Sequence, residues 1–290
     1  MAAVAPRAIP EPRTGRRDGP NPAATVVSRL GRRAAGPTLA VTYLSILVLL
    51  PIAAVLSQAF TGGIGQMWDE IWQPETRAAI ELSLVSSLVV VVVNLVAGTA
   101  VAWLLVRDRF PLNRVIGALV DLPFALPTVV AGITLISIYG SHSPLHLDIA
   151  YTRLAVLVAL AFVTLPFAVR SVQPVLAELD RETEEAAASL GAGSWTIFRR
   201  VTLPALAPAL LTGAGLGFAR AVGEYGSVQL FSGNRPFSTE VASVHIFNLI
   251  QNYDYPAAAA ASLALFTVAL VVLGIFTWLR RHVLARESST

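Results

Sequence analysis

The chain has 290 residues, of which 55% are hydrophobic and only 13% charged, where a soluble domain carries about 25% charged residues. The absence of cysteine excludes disulfide scaffolds, thiolate metal sites and cysteine nucleophiles. All 21 basic residues are arginine, which also excludes a phosphate-binding loop with its lysine, and hence ATP hydrolysis of that kind by this chain.

Residues 1–37, rich in Pro, Ala and Arg and without hydrophobic periodicity, read as a disordered tail. Six apolar blocks follow: Thr38–Phe60, Leu82–Val106, Val115–Tyr139, Leu154–Val169, Ala205–Phe231 and Ala257–Leu279. Most reach the roughly 20 residues that cross a bilayer. The first is longer than the apolar run of a secretory signal, so it reads as a span. Pro51, Pro123, Pro127 and Pro166 fall inside the blocks, as membrane helices tolerate when neighbours satisfy the freed carbonyls. The expectation is an all-α polytopic membrane protein with six transmembrane helices over 38–284 and a short tail at 285–290.

Seventeen of the 21 arginines lie in the tail, in the loops after spans two and four, and at the C-terminus. Only Arg77, Arg153 and Arg235 fall on the other side, and Arg220 lies inside span five. The positive-inside rule then makes both termini cytoplasmic, in a plasma membrane. The basic excess reads as lipid anchoring, with no nucleic-acid partner.

The longest cytoplasmic connection is 170–204. Pro174–Leu190 reads as a helix, Gly191 and Gly193 break it, and Ser194 caps a second short helix, Trp195–Arg200. Leu203-Pro204 then ends the segment. Physically this is either an interfacial hairpin lying on the membrane or a helix–turn–helix knob that docks into a soluble partner.

Glu185-Ala186-Ala187, then Gly191, then Val201–Pro204 resembles the EAA motif of bacterial ABC importer permeases at its full spacing. The resemblance implies a type I importer (MetI-like) permease fold and makes 170–204 the coupling loop. Glu185, Ala186, Ala187, Gly191, Leu203 and Pro204 would engage a separate ATPase subunit. ATP and Mg would be bound there, leaving no cofactor in this chain. Leu122–Thr134, Leu165–Arg170, Phe218–Ser227 and Ser232–Asn234 resemble sulfate and molybdate permeases. Thr239-Glu240 and Tyr253–Ala258 look more like the T-type permease of sulfate/thiosulfate importers. That branch implies a second, W-type permease and an extracytoplasmic sulfate-binding protein as partners.

Arg220 and Glu224 stand four apart on span five, hence on one helical face, and each is costly at the centre of a lipid-facing helix. They form either an ion pair that fixes packing or an arginine lining an anion path with a glutamate holding its rotamer. Gly223 and Gly226 allow a kink or close backbone approach beside them, and Ser227, Ser232, Gly233 and Asn234 offer groups to an oxyanion or belong to a solvated loop. Gly213 and Gly217 suit close helix contact. Asn94 suits an interhelical hydrogen bond and Asp121 an interface position, while Trp68, Trp72 and Trp278 fit an aromatic belt. His142 and His146 lack a metal-site pattern, so no metal and no catalytic residue is expected.

The function implied is the permease of an ATP-driven sulfate/thiosulfate importer, with a molybdate or tungstate permease as the alternative. An ion-coupled secondary transporter would need intramembrane ion ligands and often internal repeats. An intramembrane enzyme would need a convergent catalytic set.

Overall fold

A computed structural model describes residues 22–108, 111–144 and 146–287. Two compact units divide the chain at Ala54–Val55. The first is dominated by α1 (Pro22–Ala59), whose stretch Pro37–Ala59 has a mean hydropathy of 2.5. Residues 1–21 of the expected tail lie outside the described residues. The helix begins at Pro22 rather than near Thr38: proline is tolerated at a first helical position, and the Ala and Arg that follow are strong helix formers.

The second unit, residues 55–290, takes in the last turn of α1 and continues with α2 (Gly63–Ile71), α3 (Pro74–Arg107), α4 (Asn113–Ala125), α5 (Thr128–Tyr139) and α6 (Arg153–Glu178). Then come α7 (Arg181–Ser189), α8 (Ser194–Ile197), a π-helical turn (Phe198–Thr202), α9 (Leu203–Val222), α10 (Gly226–Phe231), α11 (Ala242–Gln251) and α12 (Tyr255–Glu287). Among the described residues five segments are long and apolar enough to cross a membrane, and α4 with α5 makes a sixth if that bent pair is one span.

The third expected span is therefore not one helix. α4 and α5 meet at 120°, because Leu126 is extended before Pro127, which supplies no N–H to continue the helix. The pair still travels the length of α6. Val120 of α4 clusters with Val172 and Leu176, whereas Leu135 of α5 clusters with Val156 and Ala159. α6 itself runs through Pro166 and Pro174 to Glu178, well past the expected end at Val169.

Packing of α3, α6 and α9 forms the centre of this unit. Small residues set their separation: a Cβ on Gly98 would lie 2.7 Å from the Ala168 Cβ, and one on Gly213 would lie 3.3 Å from the Ala168 Cα. Asn94 donates across the α3–α6 seam to the Ala161 carbonyl at 3.0 Å and to Thr164 Oγ1 at 2.9 Å. Arg170, counted above as a loop residue, lies within α6 and makes a two-pronged ion pair with Asp121 of α4.

The expected helix Pro174–Leu190 is split. Leu179 is extended, and Asp180 caps α7 by accepting the Glu182 N–H at 2.9 Å. Gly193, rather than Ser194, stands at the N-cap of α8. Leu203-Pro204 does not end the helical path, which runs from Ser194 to Val222. Pro204 lacks an N–H and its ring crowds the carbonyl four residues back, and the wide turn just before it relieves that strain: Leu203 N–H reaches Phe198 O, five residues back. Span five ends at Val222 rather than Phe231.

Candidate functional site

Two polar constellations stand out, one at each end of α9. The first joins the α7 loop to the bundle. Its pivot is Glu184, whose Oε1 accepts from Arg107 at the end of α3 and from Thr202 Oγ1 of the π-turn, both at 2.9 Å. Arg107 also lies over the Trp103 ring, 5.4 Å from its centroid, and Trp103 meets Phe198 edge-on at 6.0 Å. One carboxylate therefore ties α7, α3 and the start of α9 together.

The other face of α7 is free of such ties. Glu185 and Ala186 are exposed and Ala187 is half-buried. α7 closes in a Schellman motif: Gly191 N–H bonds to Ala188 O at 2.9 Å and Ala192 N–H to Ala187 O at 3.1 Å. This geometry places Gly191 at φ +86°, where a glycine alone is unstrained. The turn thrusts Leu190 outward at 90% exposure, with Trp195 exposed beside it. Leu203 is half-buried and Pro204 exposed, both in the first turn of α9 and one helix removed from this tip.

The second constellation lies where α9 stops, about 28 Å from Leu203 at 1.5 Å per residue. Arg220 and Glu224 do pair, 2.6 Å apart, but across the end of the helix rather than along one face of it. Glu224 is fully buried, and its other oxygen accepts from Ser227 N–H at 2.9 Å and Ser227 Oγ at 2.8 Å. The carboxylate is thus spent on holding Arg220 and opening α10, while about a third of the Arg220 side chain stays accessible. Gly226 permits close approach to α5, since a Cβ there would lie 2.3 Å from Thr128 Oγ1 and 2.9 Å from Val129 N. Gly223 meets no such neighbour and serves as the C-cap of α9.

Ser232, Gly233 and Asn234 form their own turn. Ser232 Oγ donates to Asn234 Oδ1 at 3.1 Å, Asn234 Nδ2 donates to Gln229 O at 2.7 Å, and Gly233 packs on Tyr151 at φ +78°. Among the described residues no group of three His, Asp or Glu side chains is placed to hold a metal.

Three features carried no local signal in the sequence. Glu184 was indistinguishable from its acidic neighbours, and the capping role of Glu224 requires the break after Val222. A buried relay also links the first turn of α3 to α11: Thr76 Oγ1 lies 3.1 Å from His245 Nε2, and Asn248 donates to Glu240 at 2.7 Å. His245 Nδ1 stands 3.7 Å from Glu240. Isolated residues so far apart in sequence carry no local signal.

Residues 95–286 match the family described as binding-protein-dependent transport system inner membrane component. The chain belongs to this family. Among the most similar relatives of this permease is the sulfate transport system permease protein CysT of Synechocystis, 44% identical over 83% of this chain and 88% of the relative. The Escherichia coli protein of the same description is 42% identical over 80% and 86%. The fold matches a bacterial ABC transporter involved in import of the acidic polysaccharide alginate, with a TM-score of 0.73, 17% identity and coverage of 90% and 99%. It also matches the MetNI methionine ABC transporter, with a TM-score of 0.56, 20% identity and coverage of 77% and 98%. The permease is a multi-pass protein of a bacterial inner-membrane type of transport system.

Proposed function

We propose that this chain is a transmembrane permease subunit of an ATP-driven importer of sulfate and thiosulfate. It would pair with a second, W-type permease, receive the anion from an extracytoplasmic binding protein, and be driven by separate ATPase subunits. Its termini and the α7 loop face the cytoplasm, a reading supported by the arginine distribution. The observation that carries the sulfate reading is the identity above 40% to sulfate permease proteins over four-fifths of the chain.

The coupling reading rests on the two faces of α7. Glu185, Ala186, Ala187, Leu190 and Gly191 form the outward face that meets the ATPase, and Glu184 carries the displacement inward. Because Glu184 holds both Arg107 and Thr202, a push on α7 moves the ends of α3 and α9 together. The path from Ser194 to Val222 delivers that motion to the Arg220–Glu224 break. There the accessible part of Arg220 offers positive potential to an anion, while Glu224 and Ser227 fix its position.

The test is uptake of labelled sulfate into vesicles holding the assembled transporter, with and without ATP inside the ATPase compartment. ATP-dependent uptake with thiosulfate as competitor is expected. Uptake by this chain alone under an ion gradient would refute the proposal, and stronger competition by molybdate would shift the substrate to that oxyanion.

A further inference from the structure

We propose that the seam between α9 and α12 is a binding site for an anionic phospholipid, with its phosphate on Arg280 and an acyl chain along the groove. This rests on the membrane placement of the bundle and not on the identity of the transported anion.

The groove holds about 270 Å³ and is walled by Gly215, Leu216 and Ala219 of α9 and by Leu273 and Phe276 of α12. Arg280 closes one end. Its Nε is buried without a hydrogen-bond partner, and among the described residues the guanidinium makes only a long hydrogen bond, from one terminal nitrogen to Thr212 Oγ1 at 3.4 Å. A guanidinium so placed keeps donors in a planar fork that matches phosphate. No acidic residue lines the groove, and none occurs from Tyr255 to Ala285 of α12. The charge therefore has no protein counter-ion there. Trp278, whose ring lies tilted against that of His282 with centroids 4.2 Å apart, and the exposed Arg281 mark the same end as a bilayer interface.

A free tetrahedral dianion suits this groove less well. Thr212 Oγ1 already donates to Pro208 O at 2.8 Å and Thr277 Oγ1 to Leu273 O at 2.9 Å, so the guanidinium is the one donor group left to an anion. The remaining walls are apolar and match an acyl chain. α9 and α12 run antiparallel here, so the walls extend from the Arg280–Thr212 end for about 10 Å toward Leu273 and Ala219, as seven residues of helix dictate.

The assembled transporter is delipidated, titrated with palmitoyl-oleoyl phosphatidylglycerol or phosphatidylcholine in micelles, and weighed by native mass spectrometry. Wild type is expected to retain phosphatidylglycerol preferentially. Arg280→Gln should lower retention about tenfold or more, the size of losing one hydrogen bond to a charged group. Gly215→Leu, which keeps the guanidinium and fills the groove, should lower it similarly, whereas Arg281→Gln should have little effect. Arg280→Lys, which keeps the charge without the fork, should retain an intermediate amount and serves if the glutamine variant does not assemble. Unchanged retention in Arg280→Gln, equal losses in Arg280→Gln and Arg281→Gln, displacement by excess sodium sulfate, or no bound lipid in wild type because another subunit covers the seam would each overturn the proposal.

Discussion

Replacing Glu184 by alanine separates force transmission from docking. The mutation deletes the shared acceptor of Arg107 and Thr202 without touching the outward face of α7. Arg107 is 9% exposed and Glu184 19%, so the lost contact is a largely buried ion pair, and its Nε already has no partner. Breaking a buried pair from one side costs about 3–5 kcal/mol, and the lower end applies because both groups lie near a helix end where water can enter. About 3 kcal/mol is roughly a hundredfold weaker tie between α7 and the ends of α3 and α9. In reconstituted vesicles, ATPase subunits should still co-purify and hydrolyse ATP, while sulfate transported per ATP falls steeply. Glu185→Ala, on the exposed face, should instead weaken co-purification. Adding Arg107→Met to Glu184→Ala removes the stranded charge and should recover thermal stability without recovering transport. Unchanged transport per ATP in Glu184→Ala, or identical behaviour of Glu184→Ala and Glu185→Ala, would refute the two-face reading.

Gly191→Asp should leave membrane insertion intact, since a Cβ there meets nothing within 4 Å and the cost is αL strain of about 1–2 kcal/mol. ATPase co-purification should be lost, and should largely survive in Gly191→Ala, which carries the strain without the charge; equal loss in both would assign the effect to the turn itself. Arg220→Ala strands the buried Glu224 with only Ser227 as partner, at about 1–3 kcal/mol because Arg220 is partly solvated. Uptake should drop more than assembly measured by gel filtration, and loss of assembly alone would leave the pair a packing device. Gly226→Ala forces a methyl against Thr128 and the Val129 backbone, so thermal stability should fall by about 1–3 kcal/mol, and an unchanged Tm would contradict the α5–α10 contact.

The spans were legible because a bilayer demands long apolar runs whatever the tertiary partners are, and each of the six apolar blocks has a helical counterpart. Their ends were not legible. α6 continues through Pro166 and Pro174 because its neighbours bury it, and no local rule announces that. Pro127 broke a span while Pro123, four residues earlier, sits within α4. What separates them is the position of α5 against α10, a contact between segments about a hundred residues apart. At the α7 loop, the motif spacing located the exposed tip, with Gly191 at its turn. The inner half of the device, Glu184 with Arg107 and Thr202, depends on three distant segments meeting at one oxygen and left no pattern in the sequence.

The π-turn before Pro204 acts as a phase setting between the α7 loop and the Arg220–Glu224 break at the far end of α9. One extra residue in a helix amounts to about 100° of rotation and 1.5 Å of advance. The insertion therefore decides which side of the bundle Trp195 and Phe198 address relative to everything from Leu203 onward. It lets Thr202 reach Glu184 while α9 keeps Gly213 turned toward Ala168. Deleting one residue between Phe198 and Thr202 would change composition and length by a single residue, yet leave the α7 loop and the Arg220 break out of step. If the proposed coupling holds, angular registration along this one helix should matter to transport as much as the contacts at its two ends.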